Sequence, residues 1–199
     1  MTYQKKSPSN KVFDIVLVGY GGQGVLTLAE ILAKAAIMSG YDVKQAELHG
    51  LAQRGGSLEC HLRFGKEVYS PLVMEAQADL IIGLDLLETL RACYYANKNK
   101  TTVLTNSKIF SPCPFKEMES KKTETDIKKF AKKVKLVDAE KLMKALTKDT
   151  AMINTLLLGF TVSQKFIPIK KQIILKAMAE RIRPQFIELN KKIFDLAFK

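Results

Sequence analysis

The hydrophobic pattern changes period twice in the first fifty residues. A short apolar run, Val12 to Val18, is rich in Val, Ile and Phe and reads as a buried strand. Apolar positions then recur at Val25, Leu28, Ala29, Leu32 and Ala36, the spacing of one helix face. Between them lies V-G-Y-G-G-Q-G, Val18 to Gly24, and Ser39-Gly40 reads as the helix stop. A second strand over Asp42 to Glu47 would complete a β-α-β unit. Ser57 to Phe64 alternates, with Leu58, Cys60, Leu62 and Phe64 on one face and Glu59, His61 and Arg63 on the other. Through Gly65-Lys66 it is predicted to form a hairpin with Glu67 to Ser70, ended by Pro71. His61, on the polar face, is expected to meet solvent or an interface.

Ala78 to Leu84 is continuously apolar, as in a central parallel strand. Asp85 is expected to cap a helix with Leu87, Leu90 and Ala92 inward and Glu88 and Arg91 on another face. A strand at Thr101 to Thr105 follows, then a long loop, Ser107 to Thr123, around Pro112-Cys113-Pro114. Asp126 to Lys133 reads as a lysine-rich helix with Phe130 inward, Val134 to Val137 as a strand, and Asp138-Ala139-Glu140 as a helix start. The remainder is helical: Thr150 to Phe166, largely buried with Gly159 permitting close packing, then Lys170 to Arg183 and Pro184 to Phe198. The fold class is α/β: a Rossmann-like, mostly parallel sheet with an inserted β-hairpin and a C-terminal helical segment packed on it. After a flexible tail over 1–11, residues 12–199 form one domain, with the C-terminal helices at about 150–199.

Composition narrows the partners. The net charge of +12 on 199 residues comes mostly from lysines scattered over the C-terminal half. A nucleic-acid surface would interleave aromatics or arginines, and the lysine-rich helix has only Phe130, so no nucleic-acid partner is expected. Three cysteines, Cys60, Cys93 and Cys113, show no C-x-x-C spacing, which suits a reduced, cytoplasmic chain. Three thiols cannot supply the four thiolates of an iron–sulfur cluster, and two histidines make a metal site improbable. The first ten residues lack the apolar core of a signal peptide, and Ala151 to Val162 is too short to span a bilayer, so no membrane association is expected.

Two stretches carry candidate chemistry. Gly19, Gly21 and Gly24 fit G-x-G-x-x-G between a strand and a helix, whose N-terminal N–H groups attract anions. Glu47 lies roughly 20 residues beyond, near the place of a ribose-binding acid, though it reads equally as a polar strand end. The glycine-rich loop from His49 to Ser57 sets Arg54 beside Gly55 and Gly56, where a partner can approach closely. An exposed turn with an incidental arginine is the competing reading.

Together, Gly21-Gly22-Gln23-Gly24-Val25, His49-Gly50 and Gln53-Arg54-Gly55-Gly56-Ser57 resemble the gamma-type domain of the 2-oxoacid:ferredoxin oxidoreductase family. The H-G-x-x-Q-R-G-G-S loop looks like the version in the beta subunits of its indolepyruvate branch. Arg63-Phe64-Gly65, Tyr69-Ser70-Pro71, Ala78-Asp79-Leu80, Leu87-Glu88, Leu90-Arg91, Asn106, Asn154 and Gly159 support it, over about Asp14 to Phe160 and more weakly beyond. One departure is Asp85-Leu86, where the family usually carries Glu-Pro. The resemblance implies a soluble complex that oxidatively decarboxylates an aryl-2-oxoacid with coenzyme A and ferredoxin. Thiamine diphosphate, magnesium and iron–sulfur clusters are implied in the larger alpha subunit. This chain, which has no G-D-G segment followed by Asn residues, would be a non-redox subunit with no tightly bound cofactor, metal ligand or catalytic residue.

Cofactor or partner contacts are expected at Gly19, Gly21, Gly22, Gln23, Gly24, Glu47, His49, Gln53, Arg54, Gly55, Gly56, Ser57 and Asn106. Arg54 is the first choice for an anion contact, with His49 and Gln53 orienting by hydrogen bonds. Coenzyme A could lie at the subunit interface, ferredoxin acts indirectly, and the isolated chain could form a homodimer. The alternatives are a stand-alone NAD- or FAD-binding protein, or a subunit of a sister complex for pyruvate, 2-oxoglutarate or branched-chain 2-oxoacids. Arg54→Ala is predicted to lower turnover of the assembled complex far more than it lowers the stability of this subunit. An unchanged rate with intact assembly, measured side by side, refutes that role.

Overall fold

The computed structural model describes residues 11–49, 56–110 and 117–199. Strand β1 (Phe13–Tyr20) is buried along nearly its whole length and leads into helix α1 (Val25–Met38). The helix buries Val25, Leu28, Ala29, Leu32 and Ala36, the stripe that the periodicity predicts. It ends in a Schellman closure, Gly40 N–H to Ile37 O at 2.9 Å and Tyr41 N–H to Ala36 O at 3.2 Å. Strands β2 (Asp42–His49) and β3 (Ser57–Gly65) follow, then β4 (Leu80–Gly83), helix α2 (Leu86–Ala92) and β5 (Thr102–Asn106). Helix α3 (Glu117–Phe130), strand β6 (Lys133–Val137) and helix α4 (Ala139–Met143) complete the sheet region. Helices α5 (Ile153–Ser163), α6 (Lys171–Arg181) and α7 (Pro184–Asp195) close the chain, with Pro184 in the first turn of α7.

The sheet has six strands in the order β2-β3-β1-β4-β5-β6. Strands β1, β4, β5 and β6 pair in parallel, while β3 is antiparallel to both neighbours. The α/β class with an inserted hairpin therefore stands, with two corrections of detail. The hairpin is β2 with β3, from Asp42 opposite Gly65 to His49 opposite Leu58. Both edges of β3 are thus taken, and residues 66–79 instead run irregularly across its second face. They are tied there by Val68 N–H to Asp42 Oδ2 (2.8 Å) and by Arg63 to the Ser70 carbonyl (2.9 Å). For the same reason β2 is not the neighbour of β1, and the expected β-α-β unit is split by β3.

Two apolar layers flank the sheet. One joins α1, α5 and residues of α6 and α7 to Ile15, Leu17, Cys60, Leu62 and Phe64, and the other sets α2 and α3 against Val16, Val18, Ile81 and Val103. Helix α5 is the interior helix of the first layer, with Ile153, Leu156, Leu157 and Leu158 fully buried. Helix α3 starts inside the stretch expected as a loop to Thr123 and ends before Lys133; Ile127 and, just past its end, Ala131 turn inward while Phe130 is 46% exposed, contrary to expectation, because the buried stripe passes one position away. The edge strand β6 sets Lys133 over the Phe166 ring (4.9 Å) and Lys135 over that of Phe160 (5.6 Å), charges that discourage a further strand. Among the described residues no helix is long and apolar enough to cross a membrane.

At the end of β4 the backbone touches α2. A Cβ built on Gly83 would lie 1.7 Å from Thr89 Oγ1, 2.9 Å from Thr89 Cβ and 3.0 Å from Thr105 Oγ1. Gly83→Ala is expected to cost about 3 kcal/mol in urea unfolding, the upper range for overpacking, with no loss if the contact is not needed. Burial also lifts the Cys60 and Cys93 thiols to about 12, Cys60 with help from Glu47. At pH 8 these two should resist iodoacetamide in the folded chain and react on unfolding, as intact-mass counting will show.

Candidate functional site

The glycine turn is held by its own glutamine. Gln23 N–H donates to the Tyr20 carbonyl at 3.0 Å, and its side-chain Oε1 accepts from Tyr20 N–H at 2.8 Å. Gly22 and Gly24 have φ of 104° and 80°, which favour glycine. At Gly24 space adds a second reason, since a Cβ would lie 2.3 Å from Asn154 Nδ2, the group that donates to the Gly24 carbonyl (3.2 Å). Helix α1 has no side-chain cap and no acid in its first turn, so its positive end is not neutralised locally. Gln23 is only 6% exposed, yet among the described residues its Nε2 is the one buried side-chain atom with no hydrogen-bond partner.

That nitrogen belongs to the switch point of the sheet. From β1 the chain crosses to β2 on one side, and from β4 it crosses to β5 and β6 on the other, so the β1 and β4 ends flank the crevice where open α/β sheets take ligands. Gln23 Oε1 and Leu84 Cβ both stand close to the Cβ position of Gly19, which places the glutamine between the two strand ends. Asp85, fully buried, caps α2 by accepting from Leu87 N–H (2.8 Å) and Glu88 N–H (3.0 Å), and its other oxygen accepts from Phe110 N–H (2.6 Å). Burial raises its carboxyl above the usual range even against these three donors. The Asp85-Leu86 departure from the family pattern thus still starts a helix.

Two links bring Gly56 and Ser57 to the same crevice. Gly21 N–H donates to the Gly56 carbonyl at 3.0 Å, and Ser57, paired with Tyr20 in the sheet, donates its hydroxyl to Glu88 Oε2. Glu88 is 2% exposed and is also held by Arg91. Residues 50–55, which include Gln53, Arg54 and Gly55, lie outside the described residues, as does the side chain of His49. The strand ends that carry them, His49 and Gly56, sit at the turn end of the sheet.

The remaining expected residues go elsewhere. Glu47 is exposed on edge strand β2, two strands from β1, where a ribose held at the β1 turn would not meet it. Beside Tyr20, where a dinucleotide fold would offer its second parallel strand, stands Ser57 of antiparallel β3. Asn106 is fully buried and joins strand ends, donating to the Leu84 carbonyl (3.4 Å) and accepting from Ala139 N–H (3.3 Å). His61, expected at a surface, is 1% exposed. Its Nδ1 accepts from Val73 N–H (3.0 Å), so Nε2 carries the proton and donates to Glu59 Oε1 (2.9 Å), which Tyr95 also reaches (2.8 Å). Burial opposes the Glu59 charge, but these two donors outweigh it and its carboxyl falls below the usual range. Periodicity places Glu88 on a helix face without revealing its tie to Ser57, and nothing local marks Asn154 as a clamp on the turn. An acid one turn after a strand-end Asp was the available signal for the first.

Among the described residues no group of three or more His, Cys, Asp or Glu could hold a metal ion. A family model described as pyruvate ferredoxin/flavodoxin oxidoreductase matches residues 14–199. The chain is 33% identical over 189 residues to indolepyruvate oxidoreductase subunit IorB of Archaeoglobus fulgidus, covering 93% of each chain. It is 34% identical over 198 residues to the protein of that name from Thermococcus kodakarensis, covering 95% of this chain and 96% of the relative. In fold it matches the gamma subunit of a keto/oxoacid ferredoxin oxidoreductase from Geobacter sulfurreducens, with a TM-score of 0.67, 20% identity, and 94% and 96% coverage. It also matches 32% of a 2-oxoglutarate:ferredoxin oxidoreductase chain from Magnetococcus marinus, covering 96% of itself, with a TM-score of 0.70 and 15% identity. A glycine turn on β1, a hairpin wedged beside it and full-length similarity of this kind make the chain a member of the pyruvate ferredoxin/flavodoxin oxidoreductase family.

Proposed function

We propose that this chain is the non-redox beta subunit of a cytoplasmic complex that oxidatively decarboxylates indolepyruvate and related aryl pyruvates to acyl-CoA, with ferredoxin as electron acceptor. Full-length similarity to proteins named indolepyruvate oxidoreductase subunit IorB carries this reading. The turn supports a place for it. Among the described residues, an α1 N-terminus without a side-chain cap, space above Gly22 and an unpartnered Gln23 amide suit a carboxylate or phosphate brought by a partner or by coenzyme A.

Thiamine diphosphate, held by the alpha subunit, supplies carbanion stabilisation when bound. The residues of this chain do other work. Gln23 and the first turn of α1 orient an anionic group, and Arg54 is the cation that the stretch from His49 to Ser57 offers to it. Ser57 and Glu88 fix one end of that stretch. No proton transfer is assigned to this chain.

The decisive experiment is purification of the tagged chain from its own cells. A thiamine-dependent subunit should come with it in constant ratio, and the pair should reduce ferredoxin with indolepyruvate and coenzyme A. A chain that stays alone sinks the proposal. Calorimetric titration of the isolated chain with NAD and FAD should show no tight binding, consistent with Ser57 rather than an acid beside Tyr20.

A further inference from the structure

A second cavity lies at the opposite end of the sheet, roughly 23 Å from the glycine turn by the rise of a strand as long as β1. Its volume is about 330 Å³, near the lower end for small-molecule sites. Phe13, Tyr41, Phe64 and Phe166 form its walls. Phe13 and Phe64 stack with centroids 5.3 Å apart, and Tyr41 tilts against Phe64 at 5.1 Å. Of these rings only Phe64 is buried, at 1% exposure, so three present partly open surface to the space.

Two lysines line the cavity, Lys11 and Lys165, and among the described residues no acid does. Lys11 is 3.4 Å from Asp79 and mostly exposed, whereas Lys165 makes no ion pair with any described residue. Lys165 also holds an unusual backbone. It ends α5 at the left-handed position of a Schellman closure, φ 55°, with its N–H on the Val162 carbonyl (3.0 Å) and the Phe166 N–H on that of Thr161 (2.9 Å). Glycine is the usual occupant of that position. A lysine there sets a cation beside Phe166, whose ring already carries Lys133 at 4.9 Å. Aromatic walls alone would suit a cation, but with lysines at the rim the field is positive and the complement is an anion.

We propose that this cavity binds a small aromatic carboxylate, its ring against Phe13, Tyr41 and Phe166 and its carboxylate toward Lys165. The inference does not depend on the activity proposed above. Calorimetric titration of the full chain with indole-3-acetate and with indole tests it. The acid should bind at one site and about fivefold more tightly than the neutral ring, the scale of a solvent-exposed ion pair. Lys165→Gly suits the left-handed backbone, so the melting temperature should hold while the advantage of the acid disappears and indole binding stays. Phe166→Leu should weaken both probes. No saturable heat up to about 10 mM, where an efficient ligand of this size must show binding, overturns the proposal. So do equal affinities for the two probes, or acid binding that survives Lys165→Gly.

Discussion

The backbone ladder between β3 and β1, running from Phe13 opposite Phe64 to Tyr20 opposite Ser57, is the constraint on which the other elements depend. Because β3 occupies that edge of β1, strand β2 is pushed to the rim and the crossover through α1 spans an extra strand. The same pairing sets Cys60, Leu62 and Phe64 beneath α1, where they join its buried stripe. It also fixes register: a slip of one residue would turn Glu59, His61 and Arg63 into that apolar layer. Arg63 in turn is held by Asp14 at 2.7 Å, a charge-assisted bond between the two strands.

At its far end this ladder makes two distant motifs neighbours. Gly56 and Ser57 are brought to Tyr20 and Gly21 by pairing alone, and the Ser57 hydroxyl then reaches Glu88 on α2. The residues that carry the family resemblance consequently divide by task. Asn154 clamps the Gly24 carbonyl, Asn106 ties strand ends, and Gly159 lets α7 approach, since a Cβ there would stand 2.4 Å from the Phe194 carbonyl oxygen. These hold the frame. Gly22 and Gln23 sit in the turn that the frame holds.

Much of this was legible in the order of residues because burial writes itself as periodicity. The stripe of α1, the buried run of β4 and the Asp85 cap follow from local rules that tertiary contacts did not disturb. The hairpin partner of β3 was not legible. Two flanking segments, one before and one after it, could each pair, and the choice rests on long-range packing that alternation does not encode. His61 was misplaced for a related reason, since its polar-looking face is covered by Val73 and Tyr95 from segments without periodic pattern. The turn and loop were found as motifs, but their adjacency is a property of the ladder. Glu47 matched a spacing whose meaning requires β2 to lie beside β1, and the strand order removes that meaning.

The unpartnered Gln23 amide has a thermodynamic side. A buried donor left unsatisfied costs about 1–3 kcal/mol. An acceptor that reaches it in a complex recovers that amount, which corresponds to roughly a 5- to 150-fold tighter dissociation constant. By linkage the same free energy protects the fold once the acceptor is in place. Were an acceptor from a partner or cofactor to meet this one nitrogen, binding and fold stability would rise together.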